Sequence, residues 1–245
     1  MPSINIILTP AEFQYYPIDT NEPVIVIIDI FRATSTIVTA LAHGARSVIP
    51  VQTIEEAKVF KAKGYLVAGE KNGIPVPEFD FGNSPSEFTN DKVKDKDLVI
   101  TTTNGTEAIQ VAQQHKGDIV IGSFLNLNAV AEYIIQQNKN VIMLCAGWKN
   151  RFNLEDFVFA GSLTYHLYNT QLFHLDSDSA LLGYLTFDRS KRKLKEFLNM
   201  ASHKKRLENL KLEGDIDFCL SVNKYPIVPV LTGQQIVLKK CVQAF

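Results

Sequence analysis

The residues in this chain that could do chemistry gather where apolar runs stop. Residues 24–28 read VIVII, and this β-branched run ends at a lone carboxylate, Asp29. Arg32 follows three positions on, then Thr34, Ser35 and Thr36, where a helical pattern begins. A buried strand that stops at a charge and turns through hydroxyls into a helix start suits an anion or a metal. Free N–H groups and the positive end of the helix dipole converge there. A capped turn between strand and helix uses the same residue types, so this stretch alone leaves both readings open.

Three more loops follow predicted strands: Gly69-Glu70-Lys71-Asn72-Gly73, Thr101-Thr102-Thr103-Asn104-Gly105-Thr106, and Cys145-Ala146-Gly147-Trp148-Lys149-Asn150-Arg151. A fifth segment, Phe79-Asp80-Phe81-Gly82-Asn83-Ser84-Pro85, lies in a long aperiodic stretch of the kind that is usually functional in a compact domain. In an open parallel sheet the carboxyl ends of the strands share one edge, where ligands bind. These loops would bring carboxylates, Arg32, Arg151, hydroxyls and Asn side chains to that edge. Hydroxyl- and glycine-rich helix starts suit phosphate or carboxylate oxygens. Asp and Glu suit Mg²⁺, which takes oxygen ligands and keeps waters and substrate oxygens in its shell. The expected ligand is a small, acidic, phosphorylated molecule with a divalent cation.

Other chemistries are less well served. No GxGxxG follows a strand and no GxxxxGK[ST] occurs, which removes the usual dinucleotide and P-loop signatures. Asp29 followed by Thr34 is similar to the aspartyl-phosphate phosphatases, but Phe31 stands where their second acid belongs. A leaving alkoxide would then have no evident proton donor. Cys145 and Arg151 satisfy Cys-x5-Arg, a cradle in which a thiolate attacks phosphorus while loop N–H groups and the Arg hold the oxygens. Leu144 and Phe152 depart from the His and Ser/Thr that usually flank it, and a buried thiol at a strand end is the competing reading. His43, His115, His166, His174 and His203 show no metal spacing and read as structural or exposed.

The elements that must hold these loops alternate between strand and helix. Strands are predicted over 3–8, 24–30, 47–51, 65–68, 98–103, 119–122 and 140–145. Helices are predicted over 33–43, 54–63 with Thr53 as cap, 107–114, 127–137 and 153–168, with one or two more over 177–201. Strand-like runs at 218–222, 227–231 and 236–238 close the chain. This pattern predicts one α/β domain over residues 1–245, a three-layer α/β/α fold with a mainly parallel sheet. A faint internal repeat, offset by 71 residues so that Ser35 corresponds to Thr106, suggests two related strand–helix halves.

The basic stretch 189–206 carries Leu194, Phe197, Leu198 and Ala201 at helical spacing, so its charges read as a solvated face. A formal net charge of −1 argues against a general nucleic-acid or membrane-surface binder. No apolar run reaches bilayer-spanning length, and the first residues lack a signal-peptide pattern. Three cysteines without CxxC spacing fit a reduced, cytoplasmic setting. A homodimer is the default expectation for the assembly.

The ordered set Asp29-x-Phe31-Arg32-Ala33-Thr34-Ser35-Thr36, Gly69-Glu70-x-x-Gly73, 79–85, Thr102-Thr103-Asn104-Gly105-Thr106 and Cys145-Ala146-Gly147-Trp148 followed by Glu155-Asp156 resembles the 2-phosphosulfolactate phosphatase family. The resemblance covers about residues 24–161 and implies Mg²⁺-dependent hydrolysis of phosphate esters of 2-hydroxy acids, in the sulfolactate branch of coenzyme M biosynthesis. On that reading Asp29 and Asp156, with Glu70 or Glu155 assisting, would hold Mg²⁺, which would neutralise the phosphoryl group and activate water. Arg32 and Arg151 would grip phosphate or carboxylate oxygens. Thr34, Ser35, Asn104, Gly105 and Thr106 would add donors, Asn83 and Ser84 would close over the ligand, and Lys71 would help set anion preference. A phosphoester-binding protein without turnover is the competing class.

Overall fold

The computed structural model describes residues 1–16, 22–89 and 91–239; Cys241 and residues 17–21 of the expected connector lie outside them. The chain opens with β1 (Ser3–Ile7), α1 (Pro10–Phe13), β2 (Val24–Ile28), α2 (Ala33–Ala42), β3 (Ser47–Pro50) and α3 (Ile54–Ala62). Next come β4 (Leu66–Lys71), β5 (Ile74–Pro75), β6 (Asp97–Thr101), α4 (Gly105–Gln113), β7 (Asp118–Gly122), α5 (Leu127–Gln137) and β8 (Val141–Cys145). The remainder is α6 (Leu154–Tyr168), β9 (His174–Leu175), α7 (Asp178–Ser190), α8 (Leu194–Leu198), α9 (Ser202–Asn209), α10 (Glu213–Cys219), β10 (Pro229–Thr232) and β11 (Gln235–Leu238). The fold is α/β, with one large, mostly parallel sheet flanked by helices.

The β-branched runs become strands because both of their faces are covered. All five residues of β2 are buried. Val24, Val26 and Ile28 face a cluster shared with α5 and α6, while Ile25 and Ile27 face a second cluster that holds Ile37, Val38 and Leu41 of α2. In the other half of the sheet Leu98 and Ile100 of β6 enter that same second cluster, while Val99 joins a smaller one with Ala57 of α3. Both halves therefore turn one face to a common core that contains α2 and α4.

The strand order is β5-β4-β6-β3-β11-β10-β7-β2-β8-β1-β9. The hairpin β10–β11 joins the halves through antiparallel pairings to β7 and to β3. Three successive antiparallel pairings reverse strand direction between the halves. The loops after β2 and β6 thus do not share one edge of an open parallel sheet, as expected from the pattern. They meet because the two halves face each other across the common core.

The C-terminal region also departs from expectation. The apolar run 218–222 is the end of α10 and the turn after it rather than a strand, and α9 precedes it as a helix not foreseen. A short apolar run cannot be told from a buried helical segment by periodicity alone. Elsewhere the cap signal is exact in kind: Thr53 Oγ1 accepts from the Glu56 N–H at 3.1 Å, and Glu56 closes the capping box.

Candidate active site

The site is built on the two helix starts that the halves bring together. Asp29 is buried at the end of β2, and Thr34 closes the turn around it, donating to the Asp29 carbonyl at 2.9 Å and accepting from its N–H at 3.2 Å. Ser35 Oγ donates to the Ile30 carbonyl at 3.0 Å, and Thr106 Oγ1 to the Thr102 carbonyl at 3.0 Å. Asn83 is fastened to α2 through Thr36 Oγ1, which donates to its carbonyl at 3.0 Å. A Cβ on Gly105 would stand 2.6 Å from Ala33 Cβ, so only glycine lets α2 and α4 begin this close together.

The loop after β4 is tied to the loop after β6 by Glu70. Its Oε1 accepts from the Thr103 N–H at 2.7 Å and from Thr103 Oγ1 at 2.8 Å, and its Oε2 accepts from the Gly73 N–H. Gly73 has φ +87°, and its carbonyl accepts from Arg32 Nη2 at 3.1 Å. Arg32 Nη1 forms a buried ion pair with Asp215 of α10 at 2.6 Å, and Ser84 donates to the other oxygen of Asp215. Arg32 is thus held between two segments distant in sequence, with Ser84 bracing its carboxylate partner.

The third wall comes from α6 and α9. Asp156 accepts from the Ile30 N–H at 2.8 Å and from the Gly147 N–H at 3.1 Å, pinning the loops after β2 and β8. Glu155 Oε1 lies 2.7 Å from His203 Nδ1, while Glu155 Oε2 is buried without a partner among the described residues. The Arg206 guanidinium stacks over Trp148, 4.2 Å from the ring centroid, and its Nη2 is a buried donor without a partner among the described residues.

Burial sets the electrostatics. It pushes the Asp29 carboxyl up to about 6, reinforced by Glu70 and Glu155 and opposed by His203 and the Ala33 N–H. Burial first, then Glu155 and Asp29, hold Asp156 well above the ordinary carboxylate range, against its two backbone N–H bonds. Desolvation draws Arg206 down, with Glu155 opposing.

Asp29, Arg32, Glu70, Asn83, Thr103, Asn104, Trp148, His203 and Arg206 line one cavity. The sequence profile of the 2-phosphosulpholactate phosphatase family matches residues 7–234. The chain belongs to that family. It is 41% identical over 215 residues to a Thermotoga maritima protein named probable 2-phosphosulfolactate phosphatase, covering 88% of this chain and 92% of the relative. Relatives of the same name in Caldanaerobacter subterraneus (39% over 217 residues, 87% and 89%) and Clostridium novyi (38% over 229 residues, 92% and 95%) agree. As a 2-phosphosulpholactate phosphatase family member, the chain is a phosphoric monoester hydrolase.

Within this member of the family the predicted residues divide. Asp29, Arg32, Glu70, Asn83 and Asn104 line the cavity. Thr34, Ser35 and Thr106 do not line it; their hydroxyls are committed to backbone carbonyls and shape the turns. Gly105 abuts Asp29 as a spacer, and Ser84 is taken up by Asp215. Cys145 and Arg151 form no phosphate cradle. Cys145 is buried in an apolar cluster, with its thiol pushed well above the ordinary range by burial and by Asp156, the opposite of an activated thiolate. Arg151 is exposed, and its carbonyl and N–H exchange hydrogen bonds with Trp148. Lys71 is exposed away from the cavity.

Asp215, Trp148, His203 and Arg206 complete the picture, and the sequence reading assigned none of them a role. The basic stretch does expose Arg189, Lys191, Arg192 and Lys193, as a solvated face should. The helix at its end is different: His203, Arg206, Leu207 and Leu210, on and just past α9, all line the cavity. Their spacing of three, four and seven residues marks one helical face and was the available signal.

The donor set bears on the metal. Among the described residues no group of three or more His, Cys, Asp or Glu side chains is arranged to hold an ion. Glu70 and Asp156, expected as metal ligands, direct both oxygens at N–H or O–H donors of neighbouring loops. Asp29 lines the same cavity as Asn83, whose buried Oδ1 has no partner among the described residues. One carboxylate and an orphaned amide oxygen fit Mg²⁺, which is commonly held by one or two carboxylates, with water and substrate oxygens completing its shell.

Proposed function

We propose that this protein is a Mg²⁺-dependent phosphatase that hydrolyses phosphate esters of small 2-hydroxy acids, with 2-phosphosulfolactate as its substrate. The observation that carries the reading is the cavity where Asp29 meets two arginines, one of them with a buried, unpartnered donor. Arg206 Nη2 is a hydrogen-bond donor awaiting an acceptor, and a phosphoryl or second acidic group of the substrate supplies one. Arg32, fixed by Asp215 and the Gly73 carbonyl, lines the cavity in a set orientation and need not reorganise when a ligand binds. Asp29 and Asn83 would hold Mg²⁺. When bound, the ion neutralises phosphoryl oxygens and lowers the pKa of water.

A phosphate-release assay over 2-phosphosulfolactate, phospholactate and phosphoglycolate, with Mg²⁺ and with excess EDTA, tests this. The expected result is release from at least one ester with Mg²⁺ and none in EDTA. Turnover that persists in EDTA overturns the metal assignment. Tight binding of an ester without release overturns the phosphatase in favour of a binding protein.

A further inference from the structure

Departure of an alkoxide from phosphorus needs a proton, and the turn after Asp29 offers Phe31 where a second acid would stand. The Cys145 thiol is outside the cavity, and in the reading above Asp29 is ionised to hold the cation. The fold brings a different group to the same place. The His203 ring lines the cavity, edge-on to Phe31 at 6.0 Å between centroids. Its Nδ1 lies 2.7 Å from Glu155 Oε1 and 3.2 Å from Asn153 Nδ2. A carboxylate only accepts, so Nδ1 donates to Glu155 rather than accepting from the Asn153 amide nitrogen, and the ring's orientation is set. Among the described residues Nε2 has no hydrogen-bond partner, and it is not among the buried atoms cut off from solvent. With Nδ1 committed to Glu155, Nε2 is the ring nitrogen left to exchange a proton with a ligand in the cavity. The other charged groups around the ring are Asp29, Glu70, Arg32 and Arg206, all lining the cavity.

We infer that His203 is the general acid of this site, delivering a proton from Nε2 to the leaving alcohol oxygen, and that Glu155 is its positioning residue. The inference rests on the phosphatase reading. In the step, a water oxygen forms a bond to phosphorus and the ester P–O bond breaks, its electron pair going to the alcohol oxygen. That oxygen takes the Nε2 proton and leaves as the alcohol. One water proton stays on the phosphate, and the other restores the imidazolium.

The leaving group decides the test. Phospholactate and its 3,3,3-trifluoro analogue are close in shape, but the fluorinated alkoxide is much less basic and leaves with less help. His203→Gln is expected to lower kcat on phospholactate by about 10²–10⁴-fold, and on the fluorinated ester by at least about tenfold less. Glu155→Gln keeps an acceptor for Nδ1 but withdraws the charge, and it should show a smaller loss with the same bias. Trp148 fluorescence on titration with inorganic phosphate checks that each variant still folds and binds. Equal losses on both esters, or unchanged kcat in His203→Gln, overturn the inference. If His203→Gln fails the binding check, Glu155→Gln decides by the same comparison. If the unmodified protein releases phosphate from no ester, the phosphatase reading itself has failed.

Discussion

Gly105 and Asp29 touch across the junction of the two halves: a Cβ on Gly105 would lie 2.9 Å from Asp29 Oδ2. The end of β2 and the start of α4, more than 70 residues apart in the chain, are therefore fitted to each other with no room for a methyl group. Gly105→Ala must push Asp29 or Ala33 aside. Overpacking of this kind costs roughly 1–3 kcal/mol. A displaced reacting group can cost about 10²-fold in rate. The expected variant is folded, melts lower, and has lost turnover; unchanged kcat would show that Asp29 tolerates the shift.

Asp29→Asn separates activity from stability. Burial raises the folded-state carboxyl to about 6, above its unfolded value, so the folded protein binds the proton more tightly. The stability that this group contributes is present at low pH and is lost as pH rises through about 6. At pH 7.5 in EDTA, Asn removes a buried charge, and the melting temperature should rise, by on the order of 2 kcal/mol of stability. The gain should vanish near pH 4, and phosphate release with Mg²⁺ should fall to background. A variant less stable at pH 7.5 would contradict the direction of the shift.

Arg206→Ala removes the unpartnered donor beside Trp148. The expected change is an increase in KM of about 10–100-fold, in the range of a lost charge-assisted hydrogen bond, with a smaller effect on kcat. Lys should restore little, because a point charge neither stacks on the indole nor presents a planar fork. Trp148 is the sole tryptophan, so its emission reports the same binding event directly. Wild-type KM in Arg206→Ala would remove the arginine from substrate binding.

Cys145→Ala tests the thiolate route. The thiol lies in the core and its deprotonation is opposed by burial and neighbouring carboxylates, so kcat should stay within about twofold. Loss of a small buried side chain should cost about 1 kcal/mol of stability. A collapse of kcat with the fold intact would restore Cys145 as nucleophile.

The sequence by itself determined the local pieces, because they depend on neighbours a few residues away. β-Branched runs specify doubly covered strands, Thr53 and Glu56 specify a helix start, and the ordered loop motifs point to the family. It also marked Asp29, Arg32, Glu70, Asn83 and Asn104, which do line the cavity. Only the tertiary structure decided which polar residues face a ligand and which one another. Thr34, Ser35 and Thr106 look like anion donors in a motif, yet each satisfies a carbonyl within five residues. Arg32 is anchored by Asp215, 183 residues away, and Glu155 orients His203 from 48 residues away. Such pairings follow from the bridge between two sheet halves of opposed strand direction and from packing α9 against their junction. No local periodicity encodes either, and so His203 reads in the sequence as structural or exposed and Arg206 as part of a solvated basic face, although both line the cavity.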